Sequence, residues 1–265
     1  MLKLCIFGDI HYIDTTPNWP VKRKLVEYAD VLTEKMISKI NKEIKPDIVI
    51  FMGDFIQATN NIETDKKNIL HIWNKFKQIN CPYYVLLGNH ELKNVKNNKE
   101  ILNIIDYKQA TYSIDADEYH LVFIGTDINP NDQSCSTQYI SPIDWKWLKK
   151  DLENNKDKKT IVFSHFGIAE DKEILQNFWC NTPDGENLML RNRSALKKLL
   201  KKINVLAVFC AHLHWTKTIK EDGIDYYMIG SLTENVNNDG IPDGVYFTVE
   251  LNNNRISVIE NHISL

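Results

Sequence analysis

The chain has 265 residues, 43% of them hydrophobic, which is enough to bury a substantial core, and one domain spanning residues 1–265 is the simplest expectation. Its 32 basic and 35 acidic side chains sum to a formal charge of −3, and the arginines are limited to Arg23, Arg191, Arg193 and Arg255, so the basic stripe of a duplex nucleic-acid binder is excluded. The cysteines, Cys5, Cys81, Cys135, Cys180 and Cys210, are odd in number and scattered, with no close pair to form a zinc knuckle or redox dithiol.

The apolar run Leu2 to Phe7 reaches Gly8-Asp9 too soon to be a signal-peptide core, and no later run approaches membrane-spanning length. A cytoplasmic protein without a membrane partner is therefore expected. Leu2 to Phe7 predicts a buried strand, followed by a helix over Val21 to Ile44. There Leu25, Ala29, Leu32, Met36, Ile40 and Ile44 form one stripe, and Pro46 ends it. Further strands are predicted at Ile48 to Met52, Tyr83 to Leu87, Leu121 to Ile124, Thr160 to Phe163 and Val205 to Cys210. Between them, helices are predicted at Ile62 to Ile79, Asn98 to Ile105, Ile143 to Leu152 and Glu186 to Ile203. The last part changes character, with hairpins over Trp215 to Ile229, turning at Glu221-Asp222-Gly223, and over Val245 to Asn261, turning at Asn252-Asn253-Asn254. The pattern predicts an α/β fold with a largely parallel half and an antiparallel half sharing one core.

In open α/β sheets, functional side chains gather in loops at the carboxyl ends of strands. Here those ends carry Asp9-Ile10-His11, Gly53-Asp54, Gly88-Asn89-His90-Glu91, Ser164-His165 and His212-Leu213-His214. Taken singly each has a plain alternative: a capped turn, a loop carboxylate, a packed imidazole. Five strand ends that all carry Asp, Asn or His are hard to obtain from turn chemistry, which would also use Ser, Thr and Pro. Oxygen and imidazole donors without a thiolate suit Mn, Fe, Zn or Co better than Mg or Ca. Seven candidate ligands exceed the need of one tetrahedral ion, and a carboxylate such as Asp54 can bridge a pair that activates a bridging water as nucleophile.

The ordered series D-x-H, G-D, G-N-H-D/E, H and G-H-x-H, matched from Asp9 to His214, resembles the calcineurin-like metallophosphoesterases. Ala211 stands where that family usually has glycine, and Glu91 where aspartate is commoner. The resemblance implies a sandwich of two mixed β-sheets flanked by α-helices. It also implies two divalent or trivalent transition-metal ions, Mn, Fe or Zn, one held by Asp9, His11, Asp54 and His214 and the other by Asp54, Asn89, His165 and His212. His90 would contact the phosphate beside Asn89 and protonate the departing oxygen, with Glu91 orienting its ring.

The expected activity is hydrolysis of a small phosphodiester or diphosphate, such as a cyclic nucleotide or a nucleoside diphosphate conjugate. A phosphomonoesterase, a protein phosphatase and a non-catalytic metal-binding scaffold are the alternatives. His71, His120 and His262 are expected to be structural or on the surface, and Tyr12, Trp19, Phe166, Trp179 and Trp215 to pack the loops. Ile13 to Pro20 and Phe166 to Gly185 are candidate substrate walls. Arg191 and Arg193 are expected on a solvated helix face, and Glu234 and Asn235 are minor candidates for the cleft.

Overall fold

Apolar runs become strands here because their alternate residues face two different cores. In β1 (Leu2–Phe7), Leu4 and Ile6 point into one core while Cys5 and Phe7 point into another, and all four are fully buried. β2 (Ile48–Phe51) repeats the division, with Ile50 on the first side and Val49 and Phe51 on the second. Burial on both faces leaves no polar position, hence the continuous apolar run. The computed structural model describes residues 1–15, 23–128, 138–170, 189–235, 237, 239–253 and 255–265.

The first sheet also contains β3 (Tyr83–Val85), β10 (Val245–Asn252) and β11 (Arg255–His262), in the order β11-β10-β1-β2-β3. The second has the order β4-β5-β6-β7-β9-β8, from β4 (Tyr112–Ala116), β5 (Tyr119–Ile124), β6 (Lys159–Ser164), β7 (Val205–Cys210), β8 (Lys217–Glu221) and β9 (Ile224–Met228). Both sheets are mixed. β1, β2 and β3 are parallel while β10 and β11 add antiparallel, and β5, β6, β7 and β9 are parallel while β4 and β8 close the edges antiparallel.

The expected division into a parallel and an antiparallel half is thus corrected, because each hairpin goes to a different sheet. Val245, Phe247, Val249 and Leu251 of β10 need the core between the sheets, and pairing with β1 supplies it. That core also takes Ile161 and Phe163 of β6 and Ala207 and Phe209 of β7. β4 was not visible as an apolar run because, on an edge, only Tyr112 among its residues is deeply buried.

Helices cover the outer faces. α1 (Ala29–Lys39) buries Leu32, Met36 and Ile37 against the first sheet, continues as a π-turn over Ile40–Ile44, and ends at Lys45 in the left-handed region (φ 45°) before Pro46. It starts later than the apolar stripe predicts. Val26–Tyr28 is a 3-10 turn, and Arg23 and Lys24 leave the helix to pair with the chain near Glu234: Lys24 bridges Glu234 antiparallel, and the Asn235 N–H donates to Arg23 O at 3.0 Å. Tertiary pairing overrides helical periodicity at those two residues.

α2 (Ile62–Phe76) is capped by Asn61, whose Oδ1 accepts the Glu63 and Thr64 N–H groups at 2.9 and 3.1 Å. A single turn, α3 (Asn89–Leu92), follows β3, and α4 (Lys99–Ile104) packs on the same side. α5 (Pro142–Asn154) and α6 (Arg193–Leu200) cover the second sheet through Leu148, Leu152, Leu196 and Leu200. Of the helix predicted over Glu186 to Ile203, residues 186–188 lie outside the described residues. Among the described residues no helix is long and apolar enough to cross a membrane.

A cluster built on a buried histidine fastens the second sheet to its helix. His120 of β5, 3% exposed, places Nδ1 2.8 Å from Asp115 Oδ1 on β4 and Nε2 2.9 Å from Asp151 Oδ2 on α5. Burial opposes its charge, but the hydrogen bonds to Asp151 and Asp115 outweigh burial and raise its pKa. A raised folded pKa contributes stability that is complete below the unfolded value, about 6.5, and is lost as pH rises through the folded value. His120→Gln is expected to cost roughly 2 kcal/mol at pH 6 and to flatten that pH slope. Urea-unfolding midpoints of both proteins from pH 6 to 9 measure both effects, and an unchanged slope would locate the titration elsewhere.

Candidate metal centre

The five sequence-predicted loops leave β1, β2, β3, β6 and β7 at their carboxyl ends and are tied to one another by backbone bonds. The Asp9 N–H donates to Gly53 O at 3.0 Å, the His11 N–H to Asp54 O at 3.0 Å, and the Ala211 N–H to His165 O at 2.9 Å. Two further bonds cross between the sheets: His165 Nδ1–H to Met52 O at 2.7 Å, and the His212 N–H to Asp9 Oδ2 at 3.2 Å. The loop after β9 closes the side, with Ser231 Oγ donating to Asp9 O at 2.7 Å and Thr233 Oγ1 to Ile10 O at 3.0 Å.

The backbone is strained where the side chains converge. Among the described residues ten non-glycine positions have positive φ, and five of them are here: Asp9 (51°), His11 (52°), Asp54 (52°), His212 (69°) and His214 (54°). A left-handed residue with a Cβ costs about 1–2 kcal/mol, so such a concentration persists only where the surroundings hold it, as at functional sites. Gly88 is required for a different reason: a Cβ there would lie 2.1 Å from Asp54 Oδ1 and 2.6 Å from Asp54 N.

Donor atoms of Asp9, His11, Asp54 and His214 lie within 4.8 Å of one another, as do those of Asp54, His165 and His212. Asp54 belongs to both groups. Asn89 Oδ1 stands 3.2 Å from His165 Nε2, so its amide joins the second group. His11 Nε2 lies 3.0 Å from His214 Nε2 and 3.9 Å from Asp54 Oδ2, and His214 Nε2 lies 3.3 Å from Asp9 Oδ1.

Two partners outside the groups orient the rings. His165 Nδ1 donates to Met52 O, and His214 Nδ1 is paired with Glu234 Oε2, so both rings turn Nε2 toward the donor groups. A histidine ligand is ordinarily oriented this way, by a carbonyl or carboxylate on its other nitrogen. These donor types, with Nε2 of both rings facing the groups and its proton given up when a metal binds, fit two transition-metal ions.

Charge is balanced by the rings. Burial opposes ionisation of Asp54, yet His165, His90 and His11 hold its carboxyl well below the usual range. Burial also opposes charge on His165 and His214. Asp54 nevertheless lifts the first to about 9, and Glu234 with Asp9 lifts the second to about 10. Burial keeps His11 and His212 neutral, helped by His90 and His214 for the former and by His165 for the latter.

Glu91 does not orient the His90 ring. Its Oε2 accepts the Asp54 and Gly88 N–H groups at 2.9 and 2.8 Å, and its Oε1 the Ile56 N–H at 3.2 Å, so it is the buried brace beneath the Asp54 loop. Its carboxylate is taken up by three backbone donors. His90 is instead held by the Ala58 N–H, which donates to Nδ1 at 3.0 Å. A backbone N–H can only donate, so the neutral ring carries its proton on Nε2.

Beside these groups is a cleft of 160 Å³ lined by Arg23, Lys24, Asp54, Asn89, His90, His212, His214 and Glu234. Sequence reasoning missed Arg23 and Lys24, whose place in a predicted helix gave no signal, and understated Glu234, the carboxylate on His214. Arg193 is paired with Glu170, away from the cleft. Phe166 is core, with 0% exposure. Trp19 and Trp179, and most of the candidate walls 13–20 and 166–185, lie outside the described residues.

A family model described as calcineurin-like phosphoesterase matches residues 2–216. The chain belongs to this family. It is 29% identical over 183 residues to a probable glycerophosphodiester phosphodiesterase of Arcobacter nitrofigilis, a match covering 67% of this chain and 60% of that protein, which is less than two thirds of the relative's length. It is 23% identical over 219 residues to a probable cyclic nucleotide phosphodiesterase of Xenorhabdus bovienii, covering 80% of this chain and 78% of that one. In fold it resembles a dimetal phosphatase from Danio rerio, with a TM-score of 0.76 at 13% identity over 98% of this chain and 95% of that one. A phosphopantetheinyl hydrolase from Mycobacterium tuberculosis is also similar, with a TM-score of 0.55 at 12% identity over 86% and 89% of the two chains.

Gly88→Ala tests how the family's donor cluster depends on close packing. Its methyl group has no place except that of Asp54, so the variant is expected to keep less than about half the wild-type metal content and to lose roughly 2 kcal/mol or more of stability. Elemental analysis after Mn supplementation, together with thermal melting, checks both.

Proposed function

We propose that the protein is a dinuclear metal-dependent phosphohydrolase acting on a small phosphodiester or diphosphate, such as a cyclic nucleotide or nucleoside diphosphate conjugate. The observation that carries this reading is Asp54, a buried carboxylate common to both donor groups on the floor of the cleft. Asp9, His11, Asp54 and His214 would hold one ion and Asp54, Asn89, His165 and His212 the other, with Mn, Fe or Zn the metals their chemistry favours. Such a pair, when bound, lowers the pKa of water and neutralises the phosphoryl oxygens. The relatives' names, both phosphodiesterases, support the diester class. The complete donor set speaks against a scaffold that has lost its chemistry.

Asn89 and His90 line the cleft and would meet the phosphoryl group there. The Ala58 N–H on Nδ1 leaves Nε2–H as the ring's donor. Burial lowers the pKa of His90 to about 4, which favours the neutral ring. Protonating a leaving oxygen would require an imidazolium, with a proton on Nδ1 facing the Ala58 N–H. The neutral ring therefore acts by hydrogen bonding to a phosphoryl oxygen, a role typically contributing about 10²–10³ in rate.

Turnover of bis(4-nitrophenyl) phosphate, 4-nitrophenyl phosphate and nucleotides in added Mn tests the activity, and a protein that binds Mn yet turns over none of them would overturn it. Asp54→Ala is expected to empty at least one metal position by elemental analysis. His90→Ala should retain its metal and lose roughly 10²-fold in rate on esters of good and poor leaving groups alike. A loss confined to poor leaving groups would restore the acid role.

A further inference from the structure

The cleft has a basic wall that the metal donors do not require. Arg23 and Lys24 line it together with Asn89 and His90. The backbone of both is held beside Glu234, since Lys24 pairs with Glu234 in an antiparallel β-bridge and the Asn235 N–H donates to Arg23 O at 3.0 Å, while Arg23 Nε lies 2.6 Å from Glu234 Oε1. Arg23 is 18% exposed and Glu234 2%. The loop that holds them is bonded to Asp9 and Ile10 through Ser231 and Thr233, so the backbone carrying the basic pair is tied to the donor loops.

Charge and shape give the pair a ligand class. Asp54 is committed to the two donor groups and Glu234 to His214 and Arg23, so the carboxylates lining the cleft are already engaged. A guanidinium presents its N–H donors in a planar fork suited to phosphate oxygens, and that of Arg23 is positioned by its ion pair with Glu234.

We propose that Arg23 and Lys24 form a subsite for a second anionic group, next to the phosphoryl group met by Asn89 and His90, so that the preferred substrates are disubstituted diphosphates. This rests on the phosphohydrolase reading and narrows it. A glycerophosphodiester or a cyclic nucleotide carries one phosphodiester charge, whereas a nucleoside diphosphate conjugate carries two adjacent ones. Hydrolysis of the conjugate breaks one P–O bond of the anhydride, adds the oxygen of water to that phosphorus, and leaves two phosphomonoesters and the released protons.

Steady-state kinetics of the Mn-loaded full chain on adenosine 5′-diphosphoribose and on thymidine 5′-(4-nitrophenyl) phosphate separates the second charge from the nucleoside. Wild type is expected to show the lower KM for the diphosphate. Arg23→Gln and Lys24→Gln should each raise the diphosphate KM roughly tenfold more than the single-charge KM, with smaller changes in kcat, and Arg23→Lys should recover part of the loss. Mn content and thermal melting confirm that each variant is folded and loaded. Equal KM increases on both substrates would overturn the subsite, showing that Arg23 acts only through Glu234. Wild-type turnover of the thymidine ester without preference for the diphosphate would also overturn it while leaving the phosphohydrolase reading intact. Turnover of neither substrate, with metal bound, overturns both.

Discussion

Asp54 is the constraint around which the rest is arranged: a carboxylate at 1% exposure that belongs to two donor groups at once. A buried charge is tolerated only if it is paired and hydrogen-bonded, and the surroundings divide that task. Imidazoles of His165 and His11 stand at 3.5 and 3.9 Å from its Oδ2, the His90 N–H donates to its Oδ1 at 2.9 Å, and Glu91 fixes its backbone N–H from below. Gly88 leaves the space the carboxylate occupies. Each of these neighbours thereby serves the Asp54 carboxylate or its loop.

The same constraint explains why the site straddles two sheets. Asp9, Asp54 and Asn89 come from the first sheet, while His165, His212 and His214 come from the second, and His165 Nδ1–H reaches Met52 O across the gap. The core between the sheets, with Leu4, Ile6, Ile50, Phe163 and Phe209 fully buried, sets that gap. Close-packed interiors resist changes of even one methylene. Packing between the sheets and donor spacing are therefore one property seen at two places.

What was legible in the sequence follows from the range over which each signal acts. The strands buried on both faces announced themselves as apolar runs, and their polar ends announced the donors, because both signals are local. β4 was silent because an edge strand exposed to solvent needs no apolar run, and the allocation of the two hairpins depended on which core their apolar faces would find. The start of α1 was misplaced because Arg23 and Lys24 answer to Glu234, a residue remote in sequence. Glu91 shows the same limit within a motif: its presence was visible, but its three backbone partners, two of them on the Asp54 loop, were not.

Glu234 joins what would otherwise be two separate sites. One carboxylate oxygen is on His214 Nδ1 and the other on Arg23 Nε, so the group that orients a metal donor also orients the basic wall of the cleft. Its own backbone N–H is held by Ser231 Oγ at 2.8 Å, and that hydroxyl donates to Asp9 O. Burial opposes its ionisation, but the charges of His214 and Arg23 keep it ionised. An ionised carboxylate shared by two cationic partners cannot move toward one without weakening its hold on the other. The orientations of Arg23 and His214 are consequently coupled through a single residue, so a shift of the guanidinium at the cleft wall is felt by an imidazole of the donor cluster.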